Sequence, residues 1–334
     1  MLSEESSSCH YEGVGARCCE RPRLEWWRRD RGRLMATKKM EGVYPILVTP
    51  FDEDSQIDEE SLRRLIDFNL DAGVHGLGVA LGSEVYKLTE AERARMTRIV
   101  VDQVGGRVPV VINTGANGTD LAVHYSRMAH ENGADSLMVL PPSFFPAGQD
   151  ETVAYFRAIS DAVPLPIFIQ DVATSPIAPG LAKRLAQECE WVQYIKVESF
   201  PVVAKVAAMA EEAGDALTVF GGAGGGYFIE EMRRGSVGTM PFCTQPEAFV
   251  DIWNKVRSGD EAGAWETFNR YLVPVSRLSA QGAGLFHGIH KEILRYRGVI
   301  RSAGVRAPAP PIDPLTRDEL AALLKELYPE GSSW

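Results

Sequence analysis

The sequence predicts a closed (β/α)8 barrel of the TIM type with a C-terminal helical extension, and three observations carry that prediction. Short apolar, β-prone runs alternate with stretches of helical period from Gly42 onward. The apolar runs are continuous, with no in–out alternation, as expected of strands buried on both faces of a parallel sheet. Eight such units follow one another over roughly 220 residues without a hairpin signal, which is the count and length of one barrel. A doubly wound open sheet is the alternative. It usually has fewer strands, and no Gly-x-Gly-x-x-Gly follows the first run.

Taken in order, residues 43–51 read as an apolar strand closed by proline. Asp58 then caps a helix with Glu59 and Glu60 in its first turn, an apolar stripe of Leu62, Leu65, Ile66 and Leu70, and Gly73 as its stop. A strand over 74–81 precedes a helix over 90–104 capped by Thr89. The next pairs are 108–113 with 119–131, 136–140 with 150–162, and 167–170 with 180–187. Strand 191–199 is followed by helix 202–212, strand 217–220 by helix 224–234, and strand 236–240 by helix 246–257. Residues 261–275, 281–297 and 315–327 read as three further helices beside the barrel. The expected organisation is therefore an N-terminal tail over 1–38, the barrel over 39–259 and a helical region over 260–334. The tail has an arginine cluster and a Cys-Cys pair but no period and no apolar signal core, so it reads as disordered, with Met35 as a candidate start.

Bulk properties narrow the function classes. The 334 residues are 45% hydrophobic and 24% charged, ordinary for a globular chain. A net charge of -10 argues against nucleic acid or an anionic membrane as partner. Five scattered cysteines without ligand spacing point to a reduced, cytoplasmic setting and to no metal. No apolar run approaches the ~20 residues of a membrane span.

In such a barrel, chemistry sits at the C-terminal ends of the strands and in the loops after them. Lys196 stands out there, within Tyr194-Ile195-Lys196-Val197-Glu198. Side chains alternate along a strand, so Tyr194, Lys196 and Glu198 share one face. A lysine in a buried strand is costly unless it is paired or neutral, and the neutral amine is a nucleophile. A salt-bridged lysine at a strand end is the plainer alternative. Glu198 lies roughly 6–7 Å further along, within reach to shuttle a proton on a substrate bonded to the lysine, or to serve as its counter-ion.

Gly82, Ser83 and Glu84 offer amides and a hydroxyl suited to a carboxylate, unless they form a plain connecting loop. Thr114 and Gln170 stand at the ends of the third and fifth strands, where they would contact substrate hydroxyls. The glycine run around Gly222 either cradles phosphate or leaves substrate room. Room is favoured, because no Lys-Ser/Thr follows. His287 and His290 have metal-like spacing but read as a helical surface pair.

Several motifs together resemble the dihydrodipicolinate synthase/N-acetylneuraminate lyase family. They are Leu47-Val48-Thr49-Pro50-Phe51, Gly73-Val74-His75-Gly76-Leu77, and Gly82-Ser83-Glu84 with Leu88-Thr89-Glu90. Asn113-Thr114-Gly115-Ala116-Asn117, Gly133-Ala134-Asp135, Pro141-Pro142, Ile195-Lys196 and Val305-Arg306-Ala307-Pro308 complete the set. The resemblance implies a cofactor-free homotetramer, often a dimer of dimers, that binds pyruvate or another 2-oxo acid as an imine on the strand-six lysine, here Lys196. The chain also departs from the synthase and lyase pattern. Gln170 replaces a tyrosine, Ser143-Phe144 replaces Tyr-Tyr, Leu81-Gly82 replaces paired threonines, and Ser175 falls where the synthase has arginine. Lys-Val-Glu, Ser-Glu and Ile-Gln-Asp are more similar to the 2-keto-3-deoxy-sugar-acid dehydratase branch, although the glycine loop differs from it. The expectation is a Schiff-base lyase that dehydrates an L-2-keto-3-deoxyarabonate-like acid, with Lys196 and Glu198 catalytic. An aldolase of the same family and a non-catalytic barrel that binds oxo acids are the alternatives.

Overall fold

The computed structural model describes residues 40–145 and 147–329, so the tail expected over 1–38 lies outside the described residues. Every element named below belongs to the compact unit that begins at Glu41. The strands are β1 (Gly42–Val43), β2 (Leu77–Val79), β3 (Val110–Asn113) and β4 (Ser136–Val139), then β5 (Ile167–Asp171), β6 (Val192–Val197), β7 (Thr218–Gly221) and β8 (Gly238–Thr239). They form one eight-stranded sheet in the order β1-β8-β7-β6-β5-β4-β3-β2, with every pair parallel. Ile46 bridges to Gly78, and the Leu47 N–H donates to the Gly78 carbonyl at 2.8 Å, which closes the sheet on itself. The fold is the (β/α)8 barrel.

The run expected as a strand over 43–51 forms a two-residue ladder, because Pro45 and Pro50 have no N–H to give. It stays seated through single bonds from the Tyr44 N–H to Thr239 O (2.9 Å) and from the Ile46 N–H to Pro241 O (2.7 Å).

Eight helices alternate with these strands: α1 (Glu59–Asp71), α2 (Glu90–Val104), α3 (Thr119–Glu131), α4 (Gln149–Ala162), α5 (Pro179–Glu188), α6 (Val202–Ala213), α7 (Phe228–Met232) and α8 (Pro246–Ser258). Asp58 caps α1 through the Ser61 N–H, and Thr89 with Glu92 makes a reciprocal capping box at α2. The helix expected over 224–234 is shorter than its sequence pattern. Gly224 and Gly225 take φ values of +68° and +81°, outside the helical region, so a single 3-10 turn precedes α7. The stretch expected as one helix over 261–275 is α9 (Glu261–Thr267), a π-turn over Phe268–Leu272, and α10 (Val273–Ser279). Pro274 has no N–H for a regular ladder at that junction. Helices α11 (Leu285–Tyr296) and α12 (Pro314–Leu327) follow.

Aromatic side chains fill the barrel below the lysine. Phe168 and Tyr194 stack at 4.5 Å, and Phe220 meets Phe168 and Tyr44 edge-on at 5.3 and 5.4 Å. Gly76 makes this possible, since a Cβ there would fall 2.0 Å from the Tyr44 ring. Gln170 and Lys196, which are register partners, sit one step above Phe168 and Tyr194 on the same face. On the other face, Ile195, Val197 and Val219 join the main core with the helix layer.

The C-terminal segment is fastened to the barrel by ion pairs. Arg301 meets Asp58 at 2.7 Å and Arg306 meets Glu92 at 2.7 Å. The Arg306 guanidinium holds the Glu92 carboxyl down at about 2, against the opposing effect of burial. Among the described residues, no helix is long and apolar enough to cross a membrane.

Candidate active site

Lys196 is 4% exposed, and its Nζ lies 2.9 Å from Glu198 Oε1. Along the strand the two residues stand a full repeat apart, so it is the side chains that converge. The backbone beneath Glu198 is fixed by Asp171. The Glu198 N–H donates to the Asp171 carbonyl (2.9 Å), and the Ser199 hydroxyl donates to the Asp171 carboxylate (2.8 Å). That fully buried carboxylate also pairs with Lys205 (2.6 Å) and accepts the Ile177 N–H (2.8 Å). One aspartate thus ties the end of β5 to the loop that carries the glutamate.

The Glu198 carboxylate is held on both oxygens. Oε1 also accepts the Ala223 N–H (3.3 Å), and Oε2 accepts the Gln170 amide (3.1 Å). Gln170 Oε1 in turn accepts from Asn113 Nδ2 (3.4 Å), and Asn113 Oδ1 accepts from Arg93 (3.1 Å). The Arg93 guanidinium lies over the Tyr125 ring at 4.2 Å. A line of hydrogen bonds therefore runs from a half-buried cation to the Lys196–Glu198 pair.

The glycine loop is shaped around that pair. A Cβ on Gly222 would fall 2.4 Å from Glu198 Cγ and 2.9 Å from Lys196 Cε. Ala223 takes φ +47°, an uncommon value for a residue with a side chain, while its N–H reaches Glu198. Behind the loop lies Glu231, fully buried, with no hydrogen-bond partner for either carboxyl oxygen among the described residues. Its Oε2 packs on Gly221, where a Cβ would fall 1.8 Å away. Burial pushes this carboxyl up to about 8. The Gly222 amide opposes that shift, Glu230 and Glu198 add to it, and Lys196 opposes it.

A cavity of about 700 Å³ opens over the lysine, and Leu81, Gly82, Gln170, Lys196 and Glu198 line its inner end. Leu81–Ser83 is a 3-10 turn, so the Leu81 and Gly82 amides precede its first hydrogen bond and have no acceptor within the turn. These amides suit a carboxylate. The cavity brings Lys196, Glu198, Gln170 and Gly82 together, with Gly222 packed against the pair.

It does not bring in Ser83, Glu84 or Thr114. The Ser83 hydroxyl is buried, accepts the Ala80 N–H (3.1 Å) and donates to the Leu47 carbonyl. Glu84 is fully buried, with one oxygen on Lys291 (2.6 Å) and the other on Lys87 (3.1 Å). The Thr114 hydroxyl accepts from Ser126 (2.9 Å). Each of the three braces a loop from within.

The site also takes in Arg93, Tyr227 on the cavity wall and Glu231, which the sequence does not single out for it, and Asn113 and the Ala223 amide, which stand at candidate strand-end positions but carry no assigned role in the sequence. Asn113 and Ala223 carry a signal in the sequence, their places at the end of a strand and in the glycine run after one. The expected surface pair His287 and His290 is instead buried on the packed face of α11, at 3% and 5% exposure. His290 Nδ1 lies 2.9 Å from the Thr244 hydroxyl and its ring stacks on Phe242 at 3.9 Å. Burial pushes these imidazoles down to about 4 and about 3 respectively, so both are neutral. Among the described residues no group of three His, Cys, Asp or Glu is placed to hold a metal.

A buried lysine beside a carboxylate, with amides nearby for an anion and a cavity above, is an arrangement that imine chemistry on a 2-oxo acid can use. Residues 39–327 match the Dihydrodipicolinate synthetase family. The chain is 30% identical to L-2-keto-3-deoxyarabonate dehydratase of Azospirillum brasilense, across 90% of this chain and 98% of that protein. It is 26% identical to N-acetylneuraminate lyase of Citrobacter koseri, across 88% and 99%. Among solved structures, YagE, a prophage protein of the dihydrodipicolinic acid synthase family from E. coli K12 in complex with pyruvate, superposes with a TM-score of 0.81. The identity is 26%, across 87% of this chain and 99% of that one. The fold, the lysine at the barrel mouth and the match along nearly the whole described chain make one conclusion: this chain belongs to the dihydrodipicolinate synthetase family and is a Schiff-base lyase of that family.

Proposed function

We propose that the chain dehydrates a 4-hydroxy-2-oxo acid, a 2-keto-3-deoxy sugar acid of the L-2-keto-3-deoxyarabonate kind, through an imine on Lys196. The observation that carries the reading is the 2.9 Å contact between Lys196 Nζ and Glu198 Oε1 at the end of an open cavity. Glu198 takes the ammonium proton, and the freed amine attacks C2 of the substrate. Loss of water gives a protonated imine, which acts as an electron sink and acidifies C3. Glu198 then removes the C3 proton and returns a proton to the hydroxyl leaving from C4. Hydrolysis of the imine frees the product and the lysine. The Leu81 and Gly82 amides hold the carboxylate, and Gln170 orients Glu198 and a substrate hydroxyl. The dehydratase relative at 30% identity supports the water-loss branch.

Aldol cleavage is the second reading, and Tyr227 on the cavity wall favours it, since a phenol there can serve an aldehyde oxygen. A panel of 2-keto-3-deoxy acids, assayed separately for water loss and for pyruvate release, decides between them. Water loss without pyruvate supports dehydration, and stoichiometric pyruvate overturns it. Thermal stabilisation by pyruvate with no turnover of any panel member would point to a binding protein instead. The same reading implies a homotetramer, which light scattering tests. The exposed aromatic pair Phe144 and Phe145, 5.1 Å apart, gives a second copy a surface to cover.

A further inference from the structure

The cavity does not end where a small 2-oxo acid would end. Its lining includes, besides Lys196, the apolar side chains of Phe200, Phe242 and Phe249 and, from the C-terminal segment, Phe268, Leu272 and Val275. Phe242 stands between the two loops that shape the site. Its ring lies 3.4 Å from where a Gly82 Cβ would be and 3.2 Å from where a Gly224 Cβ would be. Phe286 at 5.3 Å and the stacked His290 hold it there. Phe200, two residues past Glu198, is 74% exposed and forms part of the same wall.

A polyhydroxylated tail needs a partner for each hydroxyl it takes out of water. Two polar side chains of this chamber are already engaged with the protein, while the Ser279 hydroxyl has no partner among the described residues and Tyr227 adds one phenol. The Thr244 hydroxyl is bonded to His290 (2.9 Å), and the Gln245 amide donates to Tyr271 O (2.9 Å) and to the Tyr328 hydroxyl (3.0 Å). Ser276 and Arg277 lie at the solvent-exposed end. Most of the remaining wall offers ring faces and methyl groups.

We infer that this chamber is a binding site for an apolar, ring-sized group on C4 of the substrate, so that the Lys196 chemistry extends to 2-oxo acids bearing an aryl substituent. The inference rests on the imine reading above. In the synthetic direction pyruvate bound on Lys196 gives up a C3 proton to Glu198. The resulting enamine carbon bonds to the carbonyl carbon of an aromatic aldehyde. The aldehyde C=O π pair moves onto its oxygen, which takes the proton back from Glu198. Water then adds at the imine carbon and releases 4-aryl-4-hydroxy-2-oxobutanoate and the free amine, with no change of oxidation state overall. Cleavage is the reverse.

The test compares 4-hydroxy-2-oxo-4-phenylbutanoate with 4-hydroxy-2-oxopentanoate, which carry phenyl and methyl on the same reacting skeleton. The full chain should turn over the phenyl compound, by cleavage or dehydration, with a kcat/KM at least about tenfold higher, as burial of a ring in place of a methyl implies. Val273→Asp, on the chamber wall, should lower the phenyl-to-methyl ratio at least about fivefold. The ratio is read within one protein sample, so a fraction of misfolded variant cancels. A wild-type ratio of one or less overturns the inference, and so does an unchanged ratio in the variant. Borohydride trapping with pyruvate is run alongside. An adduct on Lys196 with no phenyl preference overturns the chamber assignment alone, whereas no adduct removes the imine reading and this inference with it.

Discussion

Among the described residues two lysines are buried, Lys291 and Lys196, each paired with a glutamate, and we read their roles as opposite. Lys291 and Glu84 meet at 2.6 Å with both side chains fully buried. Lys291 also donates to the Gly304 carbonyl (2.8 Å) and lies 4.5 Å from the centre of the Phe51 ring. Burial pushes this lysine down to about 8, with Glu84 opposing. Its donors are spent on a carboxylate, a carbonyl and an aromatic face, and its work is to fasten α11 to the loop after β2. Lys196 and Glu198 meet at 2.9 Å, but their side chains keep 5% and 18% of their exposure and line a cavity. Burial of a lysine beside a carboxylate therefore does not by itself make a nucleophile. We propose that an open side does, together with a carboxylate positioned from behind by Gln170, Ala223 and Asp171.

The largest expected effect is at Lys196. Lys196→Ala should abolish imine formation and lower turnover by at least about 10³-fold, read from steady-state rates on whichever panel acid is the best substrate. Lys291→Met should do something different. It leaves Glu84 partly uncompensated in a dry site and costs about 3–5 kcal/mol of stability, measured by denaturant titration, while the folded fraction still forms the Lys196 adduct. Glu198→Gln should keep the adduct and lose about 10²–10⁴-fold in turnover, the usual share of a general acid–base group. Full activity in that variant would move the proton transfer elsewhere.

Gly222→Ala places a methyl group where Glu198 Cγ and Lys196 Cε already lie. It should lower turnover about 10²-fold through misplacement of the pair, with only a small change in thermal midpoint. The smallest effect is at Glu231. The folded group keeps its proton up to about 8, whereas an unfolded glutamate releases it near 4.5. Its contribution to stability is thus fully present at low pH, declines as pH rises between those values, and is flat above them. Glu231→Gln removes that decline, so the thermal midpoint of the variant minus that of the parent should grow between pH 5 and pH 9. A constant difference across that range would show that Glu231 is ionised in the fold.

Much of this was legible in the sequence because it repeats. Eight apolar runs with helices between them announce the barrel, and the place of Lys196 at a strand end follows from the alternation of side chains. The first strand was overread, since its apolar run said nothing of how few ladder bonds its prolines would allow. The helix after the glycines was overread for the opposite reason, as glycines compatible with a helix took left-handed values. In the site, Ser83, Glu84 and Thr114 share a strand-end position with Gln170 but differ in which way the chain turns next, and that is set by tertiary contacts such as Lys291 to Glu84 across 207 residues. Glu231 was invisible for a similar reason. On a short helix it reads as surface charge, and only the packing of α7 on Gly221 buries it.

The central claim is that one of two buried lysines is the nucleophile. Treating the full chain with pyruvate and borohydride, then mapping the modified peptide by mass spectrometry, tests it most directly. One adduct per chain is expected, on Lys196, retained in Glu198→Gln and absent from Lys196→Ala. An adduct on Lys291, or none on Lys196 in a folded protein, would contradict it.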